Sequence, residues 1–419
     1  MLSLVVGVGV FLVAGRPETA VLPGQRPSSG SSDDGTAATD DGGADTRADG
    51  AAVLLEKLVE VLPNGSRSDV VALAAPGDAD AAAELATLRA NVRTLGITDL
   101  SLRYVAEDGG SLTDEQERRF GDRAWTGDVQ LSWRIRGFDA HDGSQEVGLT
   151  FAETDKGVAF VSARGDSGDA TPLWLLDRVE VKRSPRSMVV TAGTGAPARF
   201  SRLADRAVTD VRKVLPAWRG RLVVEVPRDE RGLGRVLGAE PDDYSGIAAV
   251  TTTVDGSVNP QSPVHIFVNP RVFDPLGPQG SQIVMSHEAT HVATGAAVST
   301  MPTWLLEGFA DFVALDHVDL PVSVTASQVL ASVRKKGAPA QLPGTAEFDP
   351  KSSTLGASYE AAWLACRLLG ERYGEKKLIA FYRAADQAGS TTGPFRTVLG
   401  TDQAAFTRAW RTYLRNLAG

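Results

Sequence analysis

Residues 281–294 read Ser-Gln-Ile-Val-Met-Ser-His-Glu-Ala-Thr-His-Val-Ala-Thr. Pro278 and Gly280 interrupt the chain just before it, and Ser281 offers a helix cap, so the stretch is expected to be helical. Inside it lies His287-Glu288-Ala289-Thr290-His291. Positions i and i+4 of a helix share a face. The two imidazoles should therefore converge on one point, as metal ligands do. Glu288 sits beside the first histidine but is turned off that face. From there its carboxylate can reach a water at a metal without itself becoming a ligand.

Residues 301–312 complete the pattern: Met-Pro-Thr-Trp-Leu-Leu-Glu-Gly-Phe-Ala-Asp-Phe. Pro302 and Thr303 are good helix-start residues, which puts Glu307 near the beginning of a second helix. A catalytic zinc takes three protein ligands and keeps one position open. His287, His291 and Glu307 supply that count, and the lack of an obvious fourth ligand argues against a purely structural zinc. Asp311 lies four residues after Glu307, on the same helix face. It is placed to accept the free N–H of a metal-bound histidine.

Together, His287-Glu288-Ala289-Thr290-His291 and Trp304-Leu305-Leu306-Glu307-Gly308-Phe309-Ala310-Asp311 resemble the gluzincin metallopeptidases. The likeness is to the small bacterial domains of the peptidase-MA-like type, and covers roughly residues 199–419. It implies zinc as cofactor, bound by His287, His291 and Glu307, with Glu288 as general base and a peptide or protein as substrate. Tyr359, in Ala357-Ser358-Tyr359-Glu360, resembles the tyrosine that begins the helix after the site in such domains, which would make it an oxyanion stabiliser. A tyrosine packing at a helix end fits the same residues. No third histidine follows at the short spacing of metzincins. Exopeptidase relatives carry an acidic strand motif that grips a free amine. Ser245 to Val250 has no carboxylate, which favours an endopeptidase. An extended substrate is expected along an edge strand, Ile247–Thr252 or His265–Val268. The alternative is a catalytically inactive cell-envelope binding protein on a peptidase fold. Glu288 argues against it, because binding alone needs no base.

Outward from the site, the pattern is α+β throughout. After residue 195 come an amphipathic helix from Arg199 to Trp218, strand-like runs at Leu222–Val226, Ile247–Thr251 and His265–Val268, and then mainly helices; 195–419 is expected to be the metallopeptidase-like domain. Residues 51–190 read as helices followed by period-2 strands, an α+β module of NTF2-like or cystatin-like pattern. Thr191 to Pro197 is a short linker. Residues 16–50, rich in Gly, Ser, Asp and Ala, read as a disordered acidic tether. Residues 1–15 are almost wholly apolar, short for a membrane span, and point to export as signal or anchor.

The net charge of −9 leaves no basic excess for phosphates, so nucleic acid is excluded as a partner. Membrane contact is expected only through the N-terminal segment, and the location is extracytoplasmic. The excess of arginine over lysine, with abundant alanine and glycine, reads as GC-rich bacterial coding. The one cysteine, Cys366, excludes an intramolecular disulfide and sits in an apolar stretch that should bury it.

Overall fold

The computed structural model describes residues 41–419 except 109–110, 164–169, 194–195 and 317. The apolar segment 1–15 and the tether up to residue 40 lie outside the described residues. The protein is mixed α+β and divides into two compact units. Among the described residues, one unit comprises 41–134 and 144–163, and the other 135–143 and 170–419.

The first unit begins with helices α1 (Asp41–Asn64), α2 (Arg67–Val71) and α3 (Ala79–Leu95). Strand β1 (Ile97–Asp108), helix α4 (Asp114–Phe120), and strands β2 (Ala124–Ile135), β3 (Gly143–Thr154) and β4 (Gly157–Ser162) follow. The sheet order is β1-β2-β3-β4, with β3 and β4 antiparallel. Helix α3 shows how local chemistry sets the ends. Asp78 accepts from the amides of Asp80 and Ala81, and Gly96 closes the helix in the left-handed region at φ 64°. Helix α1 corrects the expected tether, because residues 41–50 are already helical. The reason is tertiary. The Arg47 guanidinium meets Glu153 at 3.0 Å and Glu107 at 3.1 Å, and lies 4.9 Å over the Trp125 ring. Composition alone does not register such anchors.

The second unit contains α5 (Leu173–Leu176), β5 (Val179–Arg183), β6 (Ser187–Ala192), α6 (Pro197–Val214), β7 (Leu222–Val226), α7 (Glu230–Leu237), β8 (Ala249–Thr253) and β9 (Val264–Val268). The helices α8 (Pro270–Phe273), α9 (Pro278–Thr294), α10 (Thr303–Leu315), α11 (Val322–Thr325), α12 (Ser327–Lys336), α13 (Leu355–Tyr373), α14 (Glu375–Ala388), α15 (Thr392–Thr397) and α16 (Gln403–Ala418) complete it. Its sheet runs β5-β6-β7-β9-β8. The β6–β7 and β7–β9 pairs are parallel, and the outer pairs antiparallel.

Four sequence expectations change here. The module boundary placed at 190 falls inside this sheet, because β5 and β6 pair with β7's side of the molecule. Every residue of β6 is buried, and Thr191 and Ala192 pair with Glu180 and Val179 of β5, so they are strand and not linker. Of the two candidate edge strands, only β8 lies at an edge; His265–Val268 is β9, held between β7 and β8. Helix α9 starts at Pro278 behind Gly277, so Ser281 does not cap it.

The core of this unit holds Cys366, fully buried, and the interface of α10 with α13. Gly308 makes that interface close. A Cβ there would lie 2.3 Å from the Ala362 carbonyl oxygen, so only glycine lets the two backbones approach this far. Among the described residues, no helix is long and apolar enough to cross a membrane.

Candidate metal centre

Helix α9 is buried on all sides from Gly280 to His291. It is fixed from behind by polar contacts that a wholly apolar helix could not make. The Ser286 hydroxyl donates to Asp210 of α6 at 3.0 Å, and the Gln282 amide donates to Ser286 at 3.0 Å. Arg199, also on α6, donates to Ser281 at 3.2 Å. These contacts set the rotation of α9 about its axis, and with it the direction of both histidines.

The Nε2 atoms of His287 and His291 lie 2.8 Å apart. Glu307, from α10, brings its Oε2 to 3.1 Å from His287 Nε2 and 3.5 Å from His291 Nε2. All three ligand-type atoms fall within 4.8 Å of one another, and the three residues are buried. Ligands of a tetrahedral zinc, each at about 2.0–2.1 Å, stand roughly 3.3 Å apart. The observed separations bracket that value, and two imidazoles with one carboxylate are donors that zinc accepts. The donor set therefore fits the ion.

Asp311 Oδ1 lies 2.7 Å from His287 Nδ1. The carboxylate can accept the Nδ1 proton and so orient the ring with Nε2 toward the cluster, the nitrogen that a cation would take in place of a second proton. Burial works against a charged His287, but Asp311 and Glu307 outweigh it and hold the ring up to about 10. Burial drives His291 the other way, down to about 4. Its Nδ1 finds no partner among the described residues, so His291 lacks the orienting carboxylate that His287 has.

Glu288 is fully buried, and burial pushes its carboxyl up to about 7, against the pull of His287 and Thr251. Its Oε2 accepts from the Thr251 hydroxyl of β8 at 2.6 Å, while its Oε1 has no partner among the described residues. Thr251 is the residue that the sequence reading misses. Nothing in a run of three threonines marks one of them as the partner of a side chain 37 positions away.

Tyr359 enters from α13. Its ring meets His287 edge-on at 6.2 Å between centroids and Phe348 at 5.1 Å. Burial raises its hydroxyl well above the usual tyrosine range, with Glu307, Asp311 and Glu288 adding to the effect. The phenol therefore keeps its proton at neutral pH and can act as a hydrogen-bond donor. All six site residues of the sequence reading come together in one region of the second unit. His265 does not belong to it. Thr251 pairs with Ile266 and Thr252 with His265, so His265 faces the opposite side of the sheet from Thr251. Compared with known family models and with curated proteins, the chain matches none.

Proposed function

We propose that the protein is a zinc-dependent endopeptidase of gluzincin type that acts outside the cytoplasm. One observation carries this reading. Three ligand-type atoms from two helices converge in buried space, beside a buried carboxylate with one oxygen that has no partner among the described residues. Zinc, when bound, supplies Lewis acidity toward a water and a scissile carbonyl. Glu288 takes a proton from the attacking water and passes it to the leaving amine as the C–N bond breaks. Tyr359 donates a hydrogen bond to the oxygen that gains charge on the former carbonyl. Asp311 holds His287 in the tautomer that binds a cation. Burial of all four central residues strengthens each of these interactions relative to water.

The absence of a carboxylate within Ser245–Val250 supports internal cleavage over removal of terminal residues. Helices leading into a four-stranded sheet support an NTF2-like or cystatin-like reading of the first unit.

The test uses the full chain. Elemental analysis should find about one zinc per chain, lost in His287→Ala. Glu288→Gln should keep the zinc and abolish hydrolysis of internally quenched peptides. A wild-type chain that takes up no metal when zinc is supplied, or Glu288→Gln with undiminished turnover, overturns the reading.

A further inference from the structure

We infer that Thr251 is the positioning residue of Glu288: it pins one carboxylate oxygen to strand β8 so that the other is presented to the reacting water. The inference rests on the metallopeptidase reading and assigns a task to a residue outside the zinc-binding pattern.

The geometry is specific. Thr251 is fully buried, and its Oγ1 lies 2.6 Å from Glu288 Oε2 and 3.2 Å from the Glu288 carbonyl oxygen. The hydroxyl has one proton to donate, and the shorter contact, to the carboxyl oxygen, is the stronger. Thr251 and Thr253 share one face of β8, and Thr252 takes the other. On the Thr251 face the neighbouring Ala249 belongs to the apolar core. Valine has the same shape as threonine and suits a buried strand better. A hydroxyl there is tolerated because it is bonded, and Glu288 supplies the bond.

Glu288 in turn needs such a partner. The last torsion of a glutamate is broad, so nothing intrinsic fixes which oxygen faces which way. Here one oxygen is pinned and the other is buried without a partner among the described residues. A buried unsatisfied oxygen calls for an explanation. As the proton-accepting end of a base, it has one. A general base must come within about 2.6–3.2 Å of the proton it takes, and a misplacement of about 1 Å can cost on the order of 100-fold.

The test compares the zinc-loaded full chain with Thr251→Val and Thr251→Ser. Three quantities are measured: zinc content, kcat and KM on a quenched peptide, and the Kd of acetohydroxamate by titration calorimetry. Acetohydroxamate chelates zinc and donates its proton to a neighbouring carboxylate, so it senses Glu288 without turnover. Thr251→Val should keep its zinc and its KM within about twofold, while kcat falls about 10- to 100-fold. Acetohydroxamate should bind this variant about tenfold more weakly. Thr251→Ser should return both kcat and Kd to near the wild-type values. An unchanged kcat and hydroxamate affinity in Thr251→Val overturns the inference. So does a loss that appears in KM or zinc content, or one that serine does not rescue. A wild-type chain that binds zinc but cleaves no peptide defeats the peptidase reading, and the hydroxamate comparison still decides the role of Thr251. A wild-type chain without zinc defeats both.

Discussion

The Nδ1 of His287 sits 2.7 Å from Asp311 Oδ1, and the Nε2 of the same ring sits 3.1 Å from Glu307 Oε2. One imidazole thus joins two carboxylates that lie one helical turn apart on α10. The turn between Glu307 and Asp311 matches the span of the ring, so α10 grips His287 at both nitrogens. Asp311→Asn keeps the shape but loses the charge that fixes the tautomer. Its zinc affinity should fall about 10- to 100-fold with the fold retained. Competition with a chromogenic chelator, alongside circular dichroism, measures both. An affinity equal to wild type would remove Asp311 from the site.

Gly308 follows Glu307 and faces α13. Its Ala variant would place a methyl against the Ala362 carbonyl, with the Cys366 sulfur 3.0 Å away. The helices must then separate, at a cost of about 1–3 kcal/mol. Gly308→Ala should lower the melting temperature by several degrees and also weaken zinc binding, because Glu307 moves with α10. Calorimetry with and without zinc separates the two effects. A stable variant with normal zinc affinity would show that α10 and α13 tolerate the wider spacing.

His265 makes a pH prediction away from the metal centre. Its Nδ1 lies 2.7 Å from Glu225 Oε1 and its Nε2 3.0 Å from Asp139 Oδ1. Burial disfavours its charge, but Asp139 and Glu225 outweigh that and raise it to about 10. A raised folded value contributes stability that is fully present below the unfolded value of about 6.5 and is lost as pH climbs through about 10. Wild-type stability should therefore decline between about pH 7 and pH 10 more steeply than that of Asp139→Asn. Parallel slopes in thermal melts at the two pH values would rule out a charged His265.

Arg47 anchors the first turns of α1 within the first unit. Its contacts are partly exposed, so Arg47→Ala should cost no more than about 1 kcal/mol globally. Locally the effect should be larger. Amide hydrogen exchange across 46–50 should accelerate while β2 and β3 stay protected. Uniform protection in the variant would mean that α1 holds its start without Arg47.

Whatever depends on short-range backbone geometry can be read from the residues alone. The i, i+4 spacing of His287 and His291 puts both rings on one helix face whatever surrounds the helix, and the same spacing aligns Glu307 with Asp311. The α+β order was legible for the same reason, since periods of 2 and 3.6 are local properties. Tertiary structure decided the rest. Thr251 meets Glu288 only because β8 lies at the sheet edge beside α9, and strand order is set by pairing between distant segments. That pairing also drew β5 and β6 into the second sheet, moved the unit boundary from 190 to 170, and placed β9 inside the sheet. Helix α1 extends into a stretch of linker-like composition because Arg47 finds acidic partners on β1 and β3. Composition counts residues, whereas burial and charge pairing depend on which distant residues the fold brings within a few ångströms.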